Sequence, residues 1–303
     1  MNGVDLSLLP PPKVIEALSY EAILAERKAY YISLHPPEQQ AGIAALLELE
    51  SEPIVKLLEE NAYRETLLRA RYNDEARALL LAFATGADLD HIGATYYDEA
   101  RLLITPEDLD ATPPVAAVWE SDDDYRYRLS LKPESYSVAG PRDAFEFHAL
   151  SADGQVKSAK PSTPHGGTTE VFILSRTGNG VPDQALIDTV ETALNDETIR
   201  PLSEEVLVSP ATVIQYTLEI ALTLFPGASG EVALAEANAR LAAFAAAHHR
   251  LNADVIKSAI DAAAHVAGVK KVVIVSPAAD IDCGLGQAPY CTGITVTIAG
   301  VEA

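Results

Sequence analysis

Basic residues are scarce in this chain, and so are cysteine, methionine and tryptophan. Only 22 of the 303 residues are Lys or Arg, against 44 Asp or Glu, which gives a formal net charge of −22. Nucleic-acid backbones and anionic lipid surfaces both attract clustered positive charge. The composition therefore argues against a general nucleic-acid binder and against a membrane-docking protein. Solubility at high local concentration is the simplest explanation of the acidity.

Long apolar runs are also absent. None reaches the roughly 18 residues that a membrane-spanning helix requires, and the opening MNGVDLSLLPPP lacks the basic and apolar regions of a signal peptide. We therefore expect a protein that is made and folded in the cytoplasm. The two cysteines, Cys283 and Cys291, form no Cys-x-x-Cys pattern. We expect two free thiols, with a disulfide across the loop between them as the open alternative.

The strongest pattern present is the helical periodicity from Ile43 to Phe83. Apolar residues recur there every three or four positions, and Glu60–Arg64 and Glu65–Arg69 are i,i+4 charge pairs. Pro53 follows a possible N-cap at Ser51, so a kink or restart is predicted there. A helix this long and amphipathic needs a partner, which this chain or another chain supplies.

The sequence on either side predicts an extended arm and a second helix. Residues 1–12 are proline-rich and predicted to be extended, and a helix is predicted from Lys13 to Leu34. Within it, Ser19 is a possible cap for a restart at Tyr20. Candidate core positions of this helix are Val14, Leu18, Ile23, Leu24 and Ile32. After the long helix, Thr85-Gly86 is the predicted stop.

Residues 86–150 are predicted to be mostly helical, with an extended or irregular segment at 96–118. Asp88 is the predicted cap of a short helix that carries Leu89 and Ile92 and that Gly93 ends. Ser121 and Asp124 form a capping arrangement for a helix to about Leu131. Another helix is predicted after Gly140-Pro141, with Phe145 and His148 as the candidates for its buried face.

From Ala152 onward, strand and helix patterns alternate. Strands are predicted at 156–160, 170–175, 206–208, 213–225, 272–275 and 291–299, and helices at 182–194, 231–248 and 255–266. A polar loop is predicted at 161–169. The fold class is therefore α+β, with a long N-terminal helical segment followed by small α+β modules with open mixed sheets. The predicted domains are 1–85, 86–150, 151–210 and 211–303.

Few groupings of residues could carry chemistry. His248 and His249 point about 100° apart on a helix, which favours a role at the helix end over joint chelation of a metal. The acidic run from Glu120 to Asp124 could offer oxygen ligands to Ca²⁺, but it lacks the calcium-loop spacing, so helix capping is favoured. Arg126 and Arg128 are expected to pair with that run at the surface. Residues 177–180 and 284–286 are expected to be turns rather than phosphate-binding loops.

Seven segments occur in an order that is specific, although none of them is diagnostic alone. They are LESEPIVKLLEENAYRE (Leu49–Glu65), LAFATGADLDHIGATY (Leu81–Tyr96), ESDDDYRYRL (Glu120–Leu129), SADGQV (Ser151–Val156), the Asn179-Gly180-Val181 turn, IRPLSEEVLVSPA (Ile199–Ala211) and GVKKVVIVSPAADI (Gly268–Ile281). In this order, and over nearly the whole chain, the sequence resembles the baseplate J-like family of contractile-tail phages.

The resemblance implies a structural protein rather than an enzyme, with no cofactor and no metal. Members of the family are wedge subunits of the tail baseplate, so it implies a virion, or a phage-derived bacteriocin-like particle, assembled in the host cytoplasm. Residues 13–84 would form a helical bundle with a second copy of the chain and another wedge protein. The modules after residue 151 would link neighbouring wedges into a ring around the hub. Hub and sheath-proximal proteins are further expected partners.

The helical periodicity, combined with the resemblance, gives candidate bundle residues. They are Ile54, Leu57, Leu58, Leu68, Arg64 and Arg69. One departure from the family is Lys132-Pro133-Glu134-Ser135, which interrupts a region expected to continue helically. Two other functions stay open at this point: a tail-assembly factor absent from the mature particle, and a hydrolase with an acidic surface.

Overall fold

A computed structural model describes residues 10, 12, 17–137 and 139–302. Most of the predicted extended arm, the first residues of the helix predicted from Lys13, and its candidate core residue Val14 lie outside the described residues. The chain divides into two compact units, the first ending at Ala100 and the second beginning at Arg101. In the described residues, no helix is both long enough and apolar enough to cross a membrane.

The first unit is helical. Its helices are α1 (Tyr20–Ser33), α2 (Pro37–Leu46), α3 (Pro53–Ala78) and α4 (Gly86–Ile92), followed by one π-helical turn at Gly93–Tyr97. The hydroxyl of Ser19 accepts a hydrogen bond from the Ala22 amide at 3.2 Å, so the predicted cap at Ser19 is confirmed and α1 begins at Tyr20. The prediction that the helix includes residues 17–19 is wrong, because these residues are not helical. Of the predicted core positions described, Ile23 is buried, Leu24 and Ile32 are half-buried, and Leu18 is exposed.

The helical stretch predicted from Ile43 to Phe83 contains the end of α2 and the whole of α3, separated by a break at residues 47–52. The predicted restart at Pro53 is confirmed, because proline lacks the N–H that a first helical position leaves unpaired anyway. The predicted cap at Ser51 is wrong. Glu52 occupies the N-cap position, and no side-chain hydrogen bond caps the helix.

The predicted end of the long helix is also wrong. α3 ends at Ala78, and Gly86, with a φ of +53°, begins α4 instead of stopping α3. Thr85 is the N-cap of α4, so Asp88 is not its cap but lies in its first turn, where a negative charge favours the helix dipole. Gly93 ends the α-helix as predicted, and Leu89 and Ile92 are buried.

The second unit mixes helices with three small sheets. Its helices are α5 (Asp122–Leu131), α6 (Arg142–Ala152), α7 (Gln184–Leu194), α8 (Gly230–His248) and α9 (Lys257–Ala264). Its strands are β1 (Leu103–Thr105), β2 (Val118–Trp119), β3 (Val156–His165), β4 (Thr168–Ser175), β5 (Glu205–Pro210), β6 (Thr212–Leu224), β7 (Val269–Ser276) and β8 (Gln287–Val301). A 3₁₀-helix at Lys132–Tyr136 follows α5, so the expected interruption is present.

The two three-stranded sheets are built alike. The central strand β4 pairs antiparallel with β3 and parallel with β5, and β6 pairs antiparallel with β7 and parallel with β8. Small α+β modules with open mixed sheets are thereby confirmed. The first module contains β3–β5, and the second contains β6–β8. β5 ends at Pro210 and β6 begins at Thr212, which is where the two modules meet along the chain.

The prediction of a polar loop at 161–169 is wrong. β3 continues to His165 and forms a hairpin with β4 across Gly166-Gly167. Pro161 can occupy a strand because β3 is an edge strand, where a missing amide donor leaves no ladder bond broken. The helix predicted at 255–266 is shorter, because Val255 pairs with Ile281 in an isolated bridge before α9 begins.

Each module packs its helices on one face of its sheet. Along β6, alternate side chains from Tyr216 to Leu224 are buried against α8 and α9, as the period of two in its sequence predicts. In the first module, α6 and α7 cover β3–β5 in the same way. Fully burying a Leu or Ile side chain contributes about 1.5–3 kcal/mol, so these two cores hold the second unit together.

Candidate functional site

One side of α3 carries apolar side chains that the described residues leave exposed. Leu57, Leu68 and Tyr72 are 55%, 49% and 58% exposed. Together with the half-buried Ile54, they fall within about 60° of one another around the helix axis. We call these four residues the α3 strip. The buried Val55 faces away from it, so the α3 strip lies on a different side of the helix from the buried contacts.

The other predicted bundle residues differ in their surroundings. Leu58 is half-buried, and the guanidinium of the exposed Arg64 pairs with Glu60 in the predicted i,i+4 contact. Tyr63 and Leu67 form a second exposed apolar pair on α3. That pair is centred roughly 130° around the helix from the α3 strip. The helix therefore presents two separate apolar surfaces to solvent.

Arg69 participates in a charge cluster that connects α1 with α3. Its Nη2 lies 2.6 Å from Oε1 of Glu65, as the i,i+4 spacing predicted, and Arg27 of α1 binds the other oxygen of the same carboxylate. The hydrogen bonds from Arg69 and then from Arg27 lower the pKa of Glu65. Within the first unit, this carboxylate stays ionised and bridges two packed helices.

Every carboxylate of the acidic run at 120–124 is paired with arginine. The pairs are Glu120 with Arg128, Asp122 with Arg101, Asp123 with Arg126, and Asp124 with both Arg176 and Arg250. The Ser121 hydroxyl accepts a hydrogen bond from the Asp124 amide at 3.2 Å, so the predicted cap is confirmed. The carboxylates of this run therefore bind guanidinium groups, and the Ser121 hydroxyl caps the start of α5.

Arg128 is not at the surface, so the expectation of surface pairing is wrong for it. Its side chain is 1% exposed, and two of its nitrogens contact the two oxygens of Glu120 at 3.1 and 2.9 Å. Its guanidinium also lies 5.2 Å from the ring centroid of the buried Tyr125. Arg126 pairs with Asp123 at 2.8 Å, as expected.

The contacts between the two modules were not predicted from the sequence. An apolar cluster of Leu174, Ala211, Leu251 and Ala288 spans it. Only Leu174 belongs to the first module's sheet, so the cluster depends on contacts that are distant in sequence. Local periodicity cannot reveal such contacts.

Polar contacts from a residue just after α8 fix the loop of the second module that lies against Phe172 of β4. Asn252, with a φ of +60°, accepts a hydrogen bond at its Oδ1 from the Gly286 amide at 3.0 Å. Its own amide donates to the Gln287 carbonyl at 2.8 Å. Gly286 lies so close to Phe172 that an added Cβ would be 2.5 Å from the ring.

Two neighbouring histidines end α8 in different ways. The His248 ring lies 2.9 Å from the Phe244 carbonyl and packs on the Phe244 ring, which agrees with the expected helix-end role. His249 instead lies 3.2 Å from the amine of Lys157 on β3. Burial and then the charge of Lys157 lower the pKa of His249. The two imidazoles share no contact, so they do not act as a pair.

Both thiols are free in the structure, and burial raises the pKa of Cys283. Among the described residues, no three His, Cys, Asp or Glu side chains come together as a metal site. Among the described residues, the features of interest are thus the exposed apolar surfaces of α3 and the clusters of paired charges.

Comparison with known proteins agrees with this architecture. Models of the N-terminal, central and C-terminal domains of baseplate J-like proteins match residues 50–108, 137–210 and 216–297. The chain belongs to the baseplate J-like family. It is 47% identical over 302 residues to the baseplate protein J of Escherichia phage P2, and the match covers 100% of each chain.

Proposed function

We propose that this chain is a non-enzymatic structural subunit of a contractile-tail baseplate. The observation that carries the proposal is the full-length similarity to a baseplate protein J. The subunit acts through its surfaces: its helical segment joins a bundle, and its α+β modules contact neighbouring wedges. Its place is the tail baseplate of a virion or of a phage-derived particle.

The α3 strip supports the bundle. Moving a Leu side chain from water into an apolar interface contributes about 1.5–3 kcal/mol to the stability of the complex. An isolated chain lacks this stabilisation, because its α3 strip stays exposed to water. The α3 strip and the Tyr63–Leu67 pair lie on different sides of the helix. A helix with two exposed apolar surfaces is suited to two further helices, which fits a bundle made with a second copy of the chain and another wedge protein.

The second module supports contacts between wedges. β7 and β8 are both edge strands, and on β7 the side chains of Val273 and Val275 are 41% and 58% exposed. An edge strand with exposed apolar residues offers unpaired backbone groups and a surface to a neighbour. In this proposal, 1–85 contains the bundle segment, 86–150 is the mostly helical middle region, and 151–210 and 211–303 are the linking modules. Repacking of those linking contacts accompanies sheath contraction.

The test is co-expression of the chain with the second wedge protein, followed by size-exclusion chromatography with mass determination. We expect a heterotrimer with two copies of this chain. Leu57→Glu and Leu68→Glu place a charge on the α3 strip and should abolish the complex. Leu202→Glu is the matched control, because Leu202 is fully exposed in a loop of the second unit. Leu58 is a less suitable position because it is half-buried.

Circular dichroism of each variant checks that the chain still folds. Heterotrimers that persist in both strip variants would contradict the bundle, while leaving the baseplate role to a separate measurement. That measurement is mass spectrometry of purified particles. The chain should be present in them in a fixed ratio to the other baseplate proteins, and its absence would instead indicate an assembly factor.

A further inference from the structure

A cavity of about 220 Å³ lies within the second unit, where the first module, α5 and the residues after α8 meet. Its walls include Tyr127 of α5, Glu146 of α6, Lys157 of β3 and Leu251 after α8. This volume is many times what a single water molecule needs. A small molecule or ion can therefore occupy it.

The charged residues in the cavity wall are unequal in number. Four are basic (Lys157, Lys160, Arg176 and Arg250) and three are acidic (Glu120, Asp124 and Glu146). In a chain with a net charge of −22, a local excess of positive charge runs against the composition. The excess is larger than this count suggests, because Glu120 is neutralised by an arginine outside the cavity wall.

Glu146 and Glu120 already have their own partners. The amine of Lys160 binds both oxygens of Glu146 at 2.7 and 2.8 Å. Glu120 binds Arg128, which does not line the cavity, with nitrogen–oxygen contacts of 3.1 and 2.9 Å. Only Asp124 is left to balance three cations.

Asp124 is shared between two of these cations. One of its oxygens lies 2.7 Å from Arg176, and the other lies 3.5 Å from Arg250. Lys157 has no carboxylate within ion-pair distance among the described residues, and its amine instead contacts the His249 ring. Burial, followed by the charges of Arg176 and Arg250, lowers its pKa. One aspartate thus faces three positive charges.

We propose that this cavity binds a small oxyanion of the phosphate class through Lys157, Arg176 and Arg250. Guanidinium groups bind oxyanions with paired, charge-assisted hydrogen bonds, and a lysine amine adds a compact positive charge. The three cations come from β3, from the residue after β4 and from the segment after α8. A bound anion therefore connects the two modules and stabilises their junction. The proposal is independent of the bundle and of the baseplate role.

The test is thermal unfolding of the full chain in increasing inorganic phosphate, with sodium chloride of equal ionic strength as the reference. We expect a saturable rise in Tm with phosphate beyond that with chloride, because ligand binding to the folded state stabilises it. Lys157→Gln and Arg250→Gln should each weaken phosphate binding about tenfold or more, since each removes a charge-assisted hydrogen bond. Isothermal titration calorimetry measures the same loss directly.

Lys271→Gln is the matched control, because Lys271 is exposed on β7 and its loss changes the net charge equally. It should bind phosphate as the wild type does. Equal responses to phosphate and chloride, or an equal loss in all three variants, would overturn the proposal. A rise with sodium acetate but none with phosphate would also overturn it, because it would assign the cavity to a carboxylate. Circular dichroism identifies any variant that fails to fold, and Arg250→Gln, at a half-exposed residue, is the safer of the two site variants.

Discussion

The amine of Lys157 lies 3.2 Å from Nδ1 of His249, and this contact joins β3 of the first module to the end of α8 in the second. A lysine ammonium can only donate, so His249 Nδ1 is the acceptor and the imidazole is neutral. Protonating this ring would place a second positive charge against Lys157 at the module junction. The junction therefore depends on a neutral histidine.

This arrangement predicts that stability depends on pH through His249. Its folded-state pKa is lowered by burial and by Lys157, while in the unfolded chain it is close to the ordinary 6.5. As pH falls through that value, the unfolded state takes up the proton first, so the free energy of unfolding decreases. His249→Gln should reduce the fall in Tm between about pH 7.5 and 5.5.

The control for that measurement is His165→Gln, because His165 is exposed at the end of β3. Its Tm profile should follow the wild type. If His249→Gln keeps the full dependence on pH, the junction histidine is not the group responsible.

The buried pair of Arg128 and Glu120 predicts a large asymmetry between single and double substitutions. Both side chains are at most 5% exposed, so removing one partner leaves a charge buried without its counterion. Glu120→Met or Arg128→Met alone should lower the free energy of unfolding by about 3–5 kcal/mol. The double variant should lose clearly less than the sum, because no unpaired charge remains.

Urea denaturation of the three variants measures this difference as a double-mutant cycle. Losses that simply add would mean that the two side chains act independently, in spite of their paired contacts.

Glu65 is predicted to hold α1 on α3. Because its carboxylate binds both Arg27 and Arg69, Glu65→Gln should reduce the protection of α1 amides against hydrogen exchange. Glu75→Gln removes a comparable i,i+4 partner, that of Arg71, but this pair is exposed and lies within α3 alone. It should leave α1 unchanged. Equal effects of both variants would place the stabilising contacts between the two helices elsewhere.

The sequence predicted features that depend on neighbouring residues and missed those that depend on distant ones. The caps at Ser19 and Ser121 were predictable, because a hydroxyl and the amide it receives are three residues apart. Pro161 suggested a loop, because the residues around it do not show that β3 pairs with β4 alone and is therefore an edge strand that can accept a proline. Arg128 suggested a surface residue because nothing in its local pattern shows that α5 is covered. The apolar cluster at the module junction joins residues that are distant in sequence, so no local periodicity predicts it.

The sharpest prediction at the module junction concerns Gly286. Its φ of +73° costs any residue with a Cβ about 1–2 kcal/mol, and that Cβ would also lie 2.5 Å from the Phe172 ring. Gly227 has a similar φ of +83° but no heavy atom within 4 Å of the added Cβ, so it isolates the cost of the backbone conformation. Gly286→Ala should therefore destabilise the chain by roughly 1–3 kcal/mol more than Gly227→Ala does in urea denaturation. The excess is the cost of separating Phe172 from the second module. Equal losses would mean that the ring moves aside freely and that the junction between the modules is not tightly packed there.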